Sequence, residues 1–220
     1  EQASAPGSER FTPLALHRQG IQADVNEKNP AWSVYGVGII QPSNMLRALR
    51  EIGIGDACLA QGKGFQGWRF HDAQGLQLGE VRNNNVAGRG YPPVNGITRP
   101  TLHKILGDTT LAQGTSVRLG VTLEHFAQDA EGVDVRFSDG RTDRYDLVVG
   151  ADGAFSQLRT MLFPNSPAPR FTGQSVWRHN FARPKDMEWG GIFFGRQSKA
   201  GLVPLCESLM YLLLVTAQPG

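Results

Sequence analysis

The stretch Asp146-Leu147-Val148-Val149-Gly150-Ala151-Asp152-Gly153-Ala154-Phe155-Ser156-Gln157-Leu158-Arg159 reads as a buried strand, a glycine turn and a helix start. Ligands of open α/β sheets bind outside the carboxyl ends of strands, where such a turn lies. Gly150 and Gly153 would let backbone approach a ligand closely. Asp152 could accept a hydroxyl or amide hydrogen bond, and Ser156 could cap the next turn. Arg159 could meet a phosphate. On residue types alone the stretch reads equally well as a plain Asp-Gly turn followed by a solvated arginine, because short glycine motifs recur by chance.

Other positions could share in such a site. Glu27 ends the segment Ile21-Gln22-Ala23-Asp24-Val25-Asn26-Glu27, and taken by itself it reads as an exposed acid at a strand end. Arg99 stands at a helix start and by itself reads as a solvated arginine, although a positive charge there opposes the helix dipole, a mild misfit that favours a ligand role. Gly36 and Gly38 read as a bend, and Val121 as a core valine. His103 and His179 lack metal-ligand partners at helical or hairpin spacing, so no metal site is assigned. Trp68, Trp177, Phe193 and Tyr211 could wall an aromatic pocket, although aromatics in strands are usually core.

The elements that must position these residues alternate between two patterns. Leu14 to Gly20 reads as the end of a glycine-stopped helix, and Ile21 to Val25 as a short strand. A helix is expected from Ser43 to Ile52, with Met45, Leu46, Leu49 and Ile52 on one face and Gly53 beyond it. Between Gly62 and Gly96 the pattern turns to strands, with a hairpin of Gly67–Phe70 and Leu76–Leu78 around Asp72–Gly75. A helix resumes near Pro100 to Leu106. Strands are then expected at Val117–Leu119, Thr122–Phe126, Val133–Phe137 and Tyr145–Val149. Beyond the proline-rich link 164–169, further strands are expected at Ser175–Phe181, Gly191–Phe194 and Leu209–Val215. Residues Glu1 to Arg10 read as coil.

Bulk properties narrow the function classes. The 22 basic and 20 acidic residues are scattered and leave a net charge of +2, so no basic tract marks a nucleic-acid partner. The longest apolar run, Leu209 to Ala217, is well short of the roughly 20 residues that cross a bilayer, so no membrane span is expected and the run reads as a buried strand. Cys58 and Cys206 form neither a zinc pattern nor a disulfide framework, and a reducing cytoplasm fits them.

The fourteen residues from Asp146 to Arg159 resemble the Asp-Gly motif of the para-hydroxybenzoate hydroxylase family of FAD-dependent monooxygenases. Three further pieces fall in that family's order, so the resemblance runs from about Leu14 to about Val215. Ile21 to Pro30 looks like the second strand of the FAD-binding unit, whose terminal acid, here Glu27, hydrogen-bonds the adenosine ribose. Gly36 to Arg50 resembles the following glycine-bearing strand and helix. The arginine that some relatives carry near Val37 is absent, as in the branch resembling salicylate hydroxylases. Ile97 to Leu106 looks like the Arg-x-x-Leu helix, whose arginine, here Arg99, approaches the flavin and its pyrophosphate. The resemblance also gives Asp152 and Gly153 a cofactor role and puts Val121 where the family's backbone touches the adenine.

The implied fold is α/β, a partial Rossmann-like FAD-binding domain with a largely β substrate domain. Residues 1–62 and 97–172 would form the FAD-binding part, and 63–96 and 173–220 the substrate layer. The implied activity is hydroxylation of an aromatic or related small molecule using O2 and FAD reduced by NAD(P)H. No catalytic side chain common to the family carries over, and oligomeric state stays open. The family's glycine-rich phosphate loop is not visible. Ala5 to Pro13 stand in its place, so a fragment or a degenerate unit is expected, and a remnant without flavin or a flavin oxidoreductase of other chemistry are the rivals. An FAD pyrophosphate needs backbone donors and helix-end dipoles to replace its hydration. The 220-residue chain expressed alone is therefore expected not to retain FAD. A flavin absorbance scan and an FAD titration check this, and a stoichiometrically yellow protein would overturn it.

Overall fold

The computed structural model describes residues 8–218, so the coil expected over 1–7 lies outside the described residues. The elements run α1 (Ser8–His17), β1 (Asp24–Glu27), β2 (Gly38–Pro42), α2 (Ser43–Glu51), α3 (Gly55–Gln61), β3 (Lys63–Phe65), β4 (Gly67–Asp72), β5 (Gln77–Arg82) and β6 (Val94–Thr98). They continue with α4 (Arg99–Ala112), β7 (Ser116–Leu119), β8 (Leu123–Gln128), β9 (Val133–Phe137), β10 (Thr142–Tyr145), α5 (Gln157–Leu162), β11 (Gln174–Ala182), β12 (Gly190–Phe194), β13 (Ser198–Pro204) and β14 (Leu209–Ala217). Two compact units result. The first takes the chain through Val34 and then Leu106–Arg170, and the second takes Tyr35–Ile105 and Phe171 onward, so one boundary falls inside α4.

In the first unit β1 and β7 pair in parallel, Asp24 opposite Ser116 and Glu27 opposite Leu119. The helix α1 begins at Ser8, where coil was expected, and accommodates Pro13 in its interior. Leu14 and Val25 are buried. Strands β8, β9 and β10 form an antiparallel meander around Val121, Val135 and Phe137. A polar chain ties this meander to the parallel pair. Tyr145 Oη donates to Asp24 Oδ2 at 2.9 Å, Arg118 Nη2 donates to Tyr145 Oη at 3.1 Å, and Arg118 Nη1 donates to Asp143 at 3.1 Å. Burial and the hydrogen bond to Asp24 push the Tyr145 phenol up to about 12.

The strand expected over Tyr145–Val149 ends at Tyr145. Residues 146–149 join no ladder, and Leu147 and Val149 are 70% and 52% exposed. The apolar sequence has the composition of a strand, but among the described residues no neighbour offers it backbone hydrogen bonds, and a strand exists only through that pairing. Val148 alone packs against the Val121 cluster.

The second unit holds a six-stranded sheet, ordered β11-β14-β13-β12-β4-β5, and a three-stranded sheet, β2-β6-β3. The expected hairpin is β4 and β5, with Trp68 opposite Val81, and it shares a sheet with β11–β14, while Tyr145 lies in the meander of the other unit. The apolar run at the end of the chain is β14, an inner strand paired on both sides. Phe65, Val94, Val203, Leu205 and Tyr211 form the shared core of the two sheets, with Val37, Ile40 and Trp68 against it. Val37 and Ile40 join that core, and residues 35–62 and 97–105 pack with the second unit, whereas the sequence pattern grouped them with 1–34. The strands β3, β6 and β13 and the helix α3 had no strong signal in the sequence. They are short or glycine-bearing, and their pairing is set by contacts distant in the chain.

Tyr145→Phe keeps the ring and removes the hydroxyl that links Asp24 to Arg118. We expect a loss of about 1 kcal/mol in urea unfolding, the usual worth of one partly exposed hydrogen bond. An unchanged midpoint would show that the chain of bonds adds nothing to stability.

Candidate cofactor site

The Asp-Gly turn is built by its own hydrogen bonds. Gly153 has a φ of +83°, a left-handed conformation that side chains rarely adopt, and its carbonyl accepts from the Ser156 N–H at 3.1 Å. Ser156 caps α5, its Oγ accepting from the Arg159 N–H at 2.9 Å. The same hydroxyl donates to Asp152 Oδ1 at 2.5 Å, and Asp152 Oδ2 accepts from the Leu158 N–H at 3.1 Å. Partial burial raises the Asp152 pKa, but these hydrogen bonds outweigh it and hold the carboxyl below its ordinary range. Arg159 is not simply solvated: its Nη2 donates to the Ala154 carbonyl at 2.7 Å and braces the turn.

Glu27 stands at the carboxyl end of β1, half-buried. Its Oε1 accepts from the Asn29 N–H at 2.7 Å, and its other oxygen has no hydrogen-bond partner among the described residues. The Glu27 carbonyl accepts from the Val121 N–H at 3.2 Å. The backbone thus brings Glu27 and Val121 together at the end of the parallel pair. Val121 is itself 6% exposed and part of the apolar cluster, so its side chain is core and its outward contribution is backbone.

Arg99 belongs to the second unit. It opens α4, its N–H donates to the Val37 carbonyl at 3.4 Å, and its guanidinium forms no ion pair among the described residues. Burial, and next the positive charge of Arg178, lower its pKa. Its side chain lies across Gly36. A Cβ at residue 36 would come within 2.5 Å of Arg99 Cδ, and the backbone there has a φ of +136°. Gly38 serves a similar close approach, since a Cβ at that position would stand 2.7 Å from the Tyr211 ring. The two glycines are therefore more than a bend. The spacing Gly36-Val37-Gly38 was the available signal, while nothing in the sequence pointed to Arg178.

The remaining candidates have ordinary surroundings. Trp68 makes an edge contact with Phe65 at 5.4 Å, and Phe193 stacks on His71 at 4.6 Å. Trp177 is 66% exposed and Tyr211 is buried. His179 packs edge-on to Phe181. Neither these aromatics nor the two histidines converge on a pocket wall or a ligand set among the described residues.

A parallel strand pair ending in an acid, a glycine turn leading into a helix, and a companion β unit define an α/β dinucleotide-binding protein. The chain belongs to the para-hydroxybenzoate hydroxylase-type family of FAD-dependent monooxygenases, the FAD binding domain family matching residues 11–202. It is 30% identical over 212 residues to the aurachin C monooxygenase/isomerase of Stigmatella aurantiaca, covering 94% of this chain and 54% of that protein. It is 30% identical over 177 residues to the 6-hydroxynicotinate 3-monooxygenase of Bordetella bronchiseptica, covering 78% and 44%. Its fold is similar to that of Klebsiella pneumoniae HpxO, solved with FAD and uric acid, with a TM-score of 0.84 at 22% identity over 98% of this chain and 55% of that one. The chain spans about half the length of the curated relatives it matches.

In the first unit Glu27 keeps a carboxylate oxygen without a partner that could accept from hydroxyls, and in the second unit Arg99 keeps a guanidinium without an ion pair that could meet phosphate oxygens, groups that FAD carries. Asp152 spends one lone pair of each oxygen on the turn and can accept again. Gly36→Ala is expected to destabilise the protein by about 1–3 kcal/mol, because it combines a strained φ with displacement of Arg99. Thermal unfolding, together with the arginine side-chain NMR resonances, checks both effects. A variant with wild-type stability and an unmoved Arg99 resonance would refute this packing.

Proposed function

We propose that the whole protein is an FAD-dependent monooxygenase that hydroxylates an aromatic small molecule at the expense of NAD(P)H and O2. The observation that carries this reading is the family match over residues 11–202, which takes in the acid, the Arg-x-x-Leu helix and the Asp-Gly turn in order. Relatives named for 6-hydroxynicotinate and for 3-amino-4-hydroxybenzoate support an aromatic substrate. In functional terms residues 1–62 and 97–172 serve the cofactor, and 63–96 and 173–220 serve the substrate. A reducing cytoplasm suits this chemistry.

Each residue has a stated part in holding the flavin. Glu27 accepts from the ribose hydroxyls, the Val121 backbone borders the adenine, Arg99 meets the pyrophosphate, and Asp152 and Gly153 form the turn beside the cofactor. When bound, the flavin supplies the electron and oxygen chemistry, and the protein contributes orientation and exclusion of water. In the whole protein, Glu27→Ala is expected to weaken FAD retention by about 1.5–3 kcal/mol, the worth of a hydrogen bond to a charged group. Equilibrium dialysis against FAD measures it, and unchanged affinity removes Glu27 from the site. Substrate-dependent NAD(P)H oxidation with matching O2 uptake tests the activity itself. A whole protein that takes up no flavin would instead be a remnant of the fold.

A further inference from the structure

Strand β5 closes one edge of the six-stranded sheet, and β4 is its only ladder partner among the described residues. Gly67 lies opposite Arg82, and one step beyond it the Asn83 N–H donates to the Gln66 carbonyl at 3.2 Å. Antiparallel ladders bond through alternate residues, so Gly79 and Val81 turn their backbone groups to β4, and Glu80 and Arg82 turn theirs outward. The edge also carries apolar side chains, with Leu78 61% and Val81 53% exposed. An open strand of this kind is a template for pairing, and Gln77–Arg82 contains neither the lysine nor the proline that usually guards one.

The two charges on this edge make it complementary to itself. A two-fold axis perpendicular to the sheet keeps every side chain on its own face, so two β5 strands can meet antiparallel only in registers centred on a residue. Centred on Val81, Glu80 of each copy faces Arg82 of the other, and the outward backbone groups of both residues bond across the junction. Centred on Glu80 or on Arg82, like charges face each other, which is unfavourable. Centred on Gly79, Glu80 faces Leu78 and gains nothing. On the same face Arg69 and Arg82 flank the Trp189 ring at 4.8 and 4.9 Å, and Arg69 Nε meets Glu80 Oε2 at 3.3 Å. Trp189 thus holds the Arg82 fork in place beforehand, which lowers the entropy lost on pairing.

We propose that β5 is a self-association edge, through which two copies of this chain pair antiparallel about Val81 and join their six-stranded sheets into one. Each Glu80 then lies between Arg69 of its own chain and Arg82 of the second copy. Two six-residue edges make a small interface, under the roughly 1,200 Å² at which stable complexes begin, so the dimer is reversible and depends on concentration. Glu80 and Arg82 are not among the candidate cofactor residues, and the pairing holds whatever reaction the whole protein performs.

Sedimentation velocity of the 220-residue chain over a concentration series tests it. A monomer–dimer equilibrium is expected that added salt weakens. E80R and R82E, each alone, set like charges opposite one another, and each is expected to weaken dimerisation about tenfold. An equimolar mixture of the two variants is expected to recover the dimer, because in the mixed pair every facing charge is again opposite in sign. Misfolding of either variant cannot produce that recovery. V81C is expected to form an intermolecular disulfide under mild oxidation above the background of the wild type with Cys58 and Cys206, since directly opposed non-bonded residues bring their Cα atoms to about 4.5 Å. A chain that stays monomeric throughout, single variants that dimerise as the wild type does, or a mixture that recovers nothing overturns the pairing. A dimer that survives both single variants belongs to another surface and counts equally against it.

Discussion

The second unit depends on a stretch of backbone that carries almost no side chain. Between Gly36 and Gly38 the chain passes close enough to Tyr211 and to Arg99 that a Cβ at either position would stand within 3 Å of a neighbouring side chain. Real Cβ atoms do not tolerate that approach, so the two glycines set how near β2 comes to β14. The core of Phe65, Val94, Val203, Leu205 and Tyr211 closes around that approach. Packing at native density leaves little room for adjustment, and a methyl group here would be felt by an apolar ring and a charged fork together.

The charges of the molecule divide by what holds them. Arg183, buried, gives its donors to the carbonyls of Cys206, Pro184 and Met187 and to the carboxylate of Glu207, and it ties the loop after β11 to the turn before β14. Arg118 is likewise consumed by Asp143, Tyr145 and the face of Phe137. Arg183 has spent its hydrogen-bonding capacity on structure, and Arg118 all but its Nε, which is buried without a partner. Arg99 forms no ion pair among the described residues, although burial makes an unpaired charge costly.

Much of this was legible in the residues themselves. The helix Ser43–Glu51 followed from apolar spacing and the glycine at 53, and Leu46 and Leu49 are buried as that spacing requires. The hairpin β4–β5 followed from its turn residues, whereas Glu27 and Asp152 were singled out by the family resemblance, since by themselves they read as an exposed acid and as a turn that need bind nothing. What was hidden depends on pairing. Lys63–Phe65 and Val94–Thr98 are too short to show a period, and each is a strand only through pairing with distant segments, Lys63–Phe65 with Val94–Thr98, and Val94–Thr98 also with Gly38–Pro42. Asp146–Val149 shows the converse, a sequence with strand composition that joins no ladder. Arg178 was invisible for the same reason, since its relation to Arg99 passes through the register of β11 on β14 and the packing of β2, none of which is a local property.

The Asp-Gly turn shows why structural and functional readings of one residue need not compete. Asp152 is held by Ser156 and Leu158, and Ser156 in turn caps α5 through the Arg159 N–H. A carboxylate so bound stays ionised under ordinary conditions, since its pKa is depressed, and it is fixed in direction by two donors from the same short segment. Local bonds therefore do the orienting before any ligand arrives. A group oriented in advance loses little entropy when it binds, which is the condition for a weakly buried side chain to contribute affinity at all. The bonds that make Asp152 look like a turn residue are thus the same bonds that would make it an effective acceptor beside a cofactor.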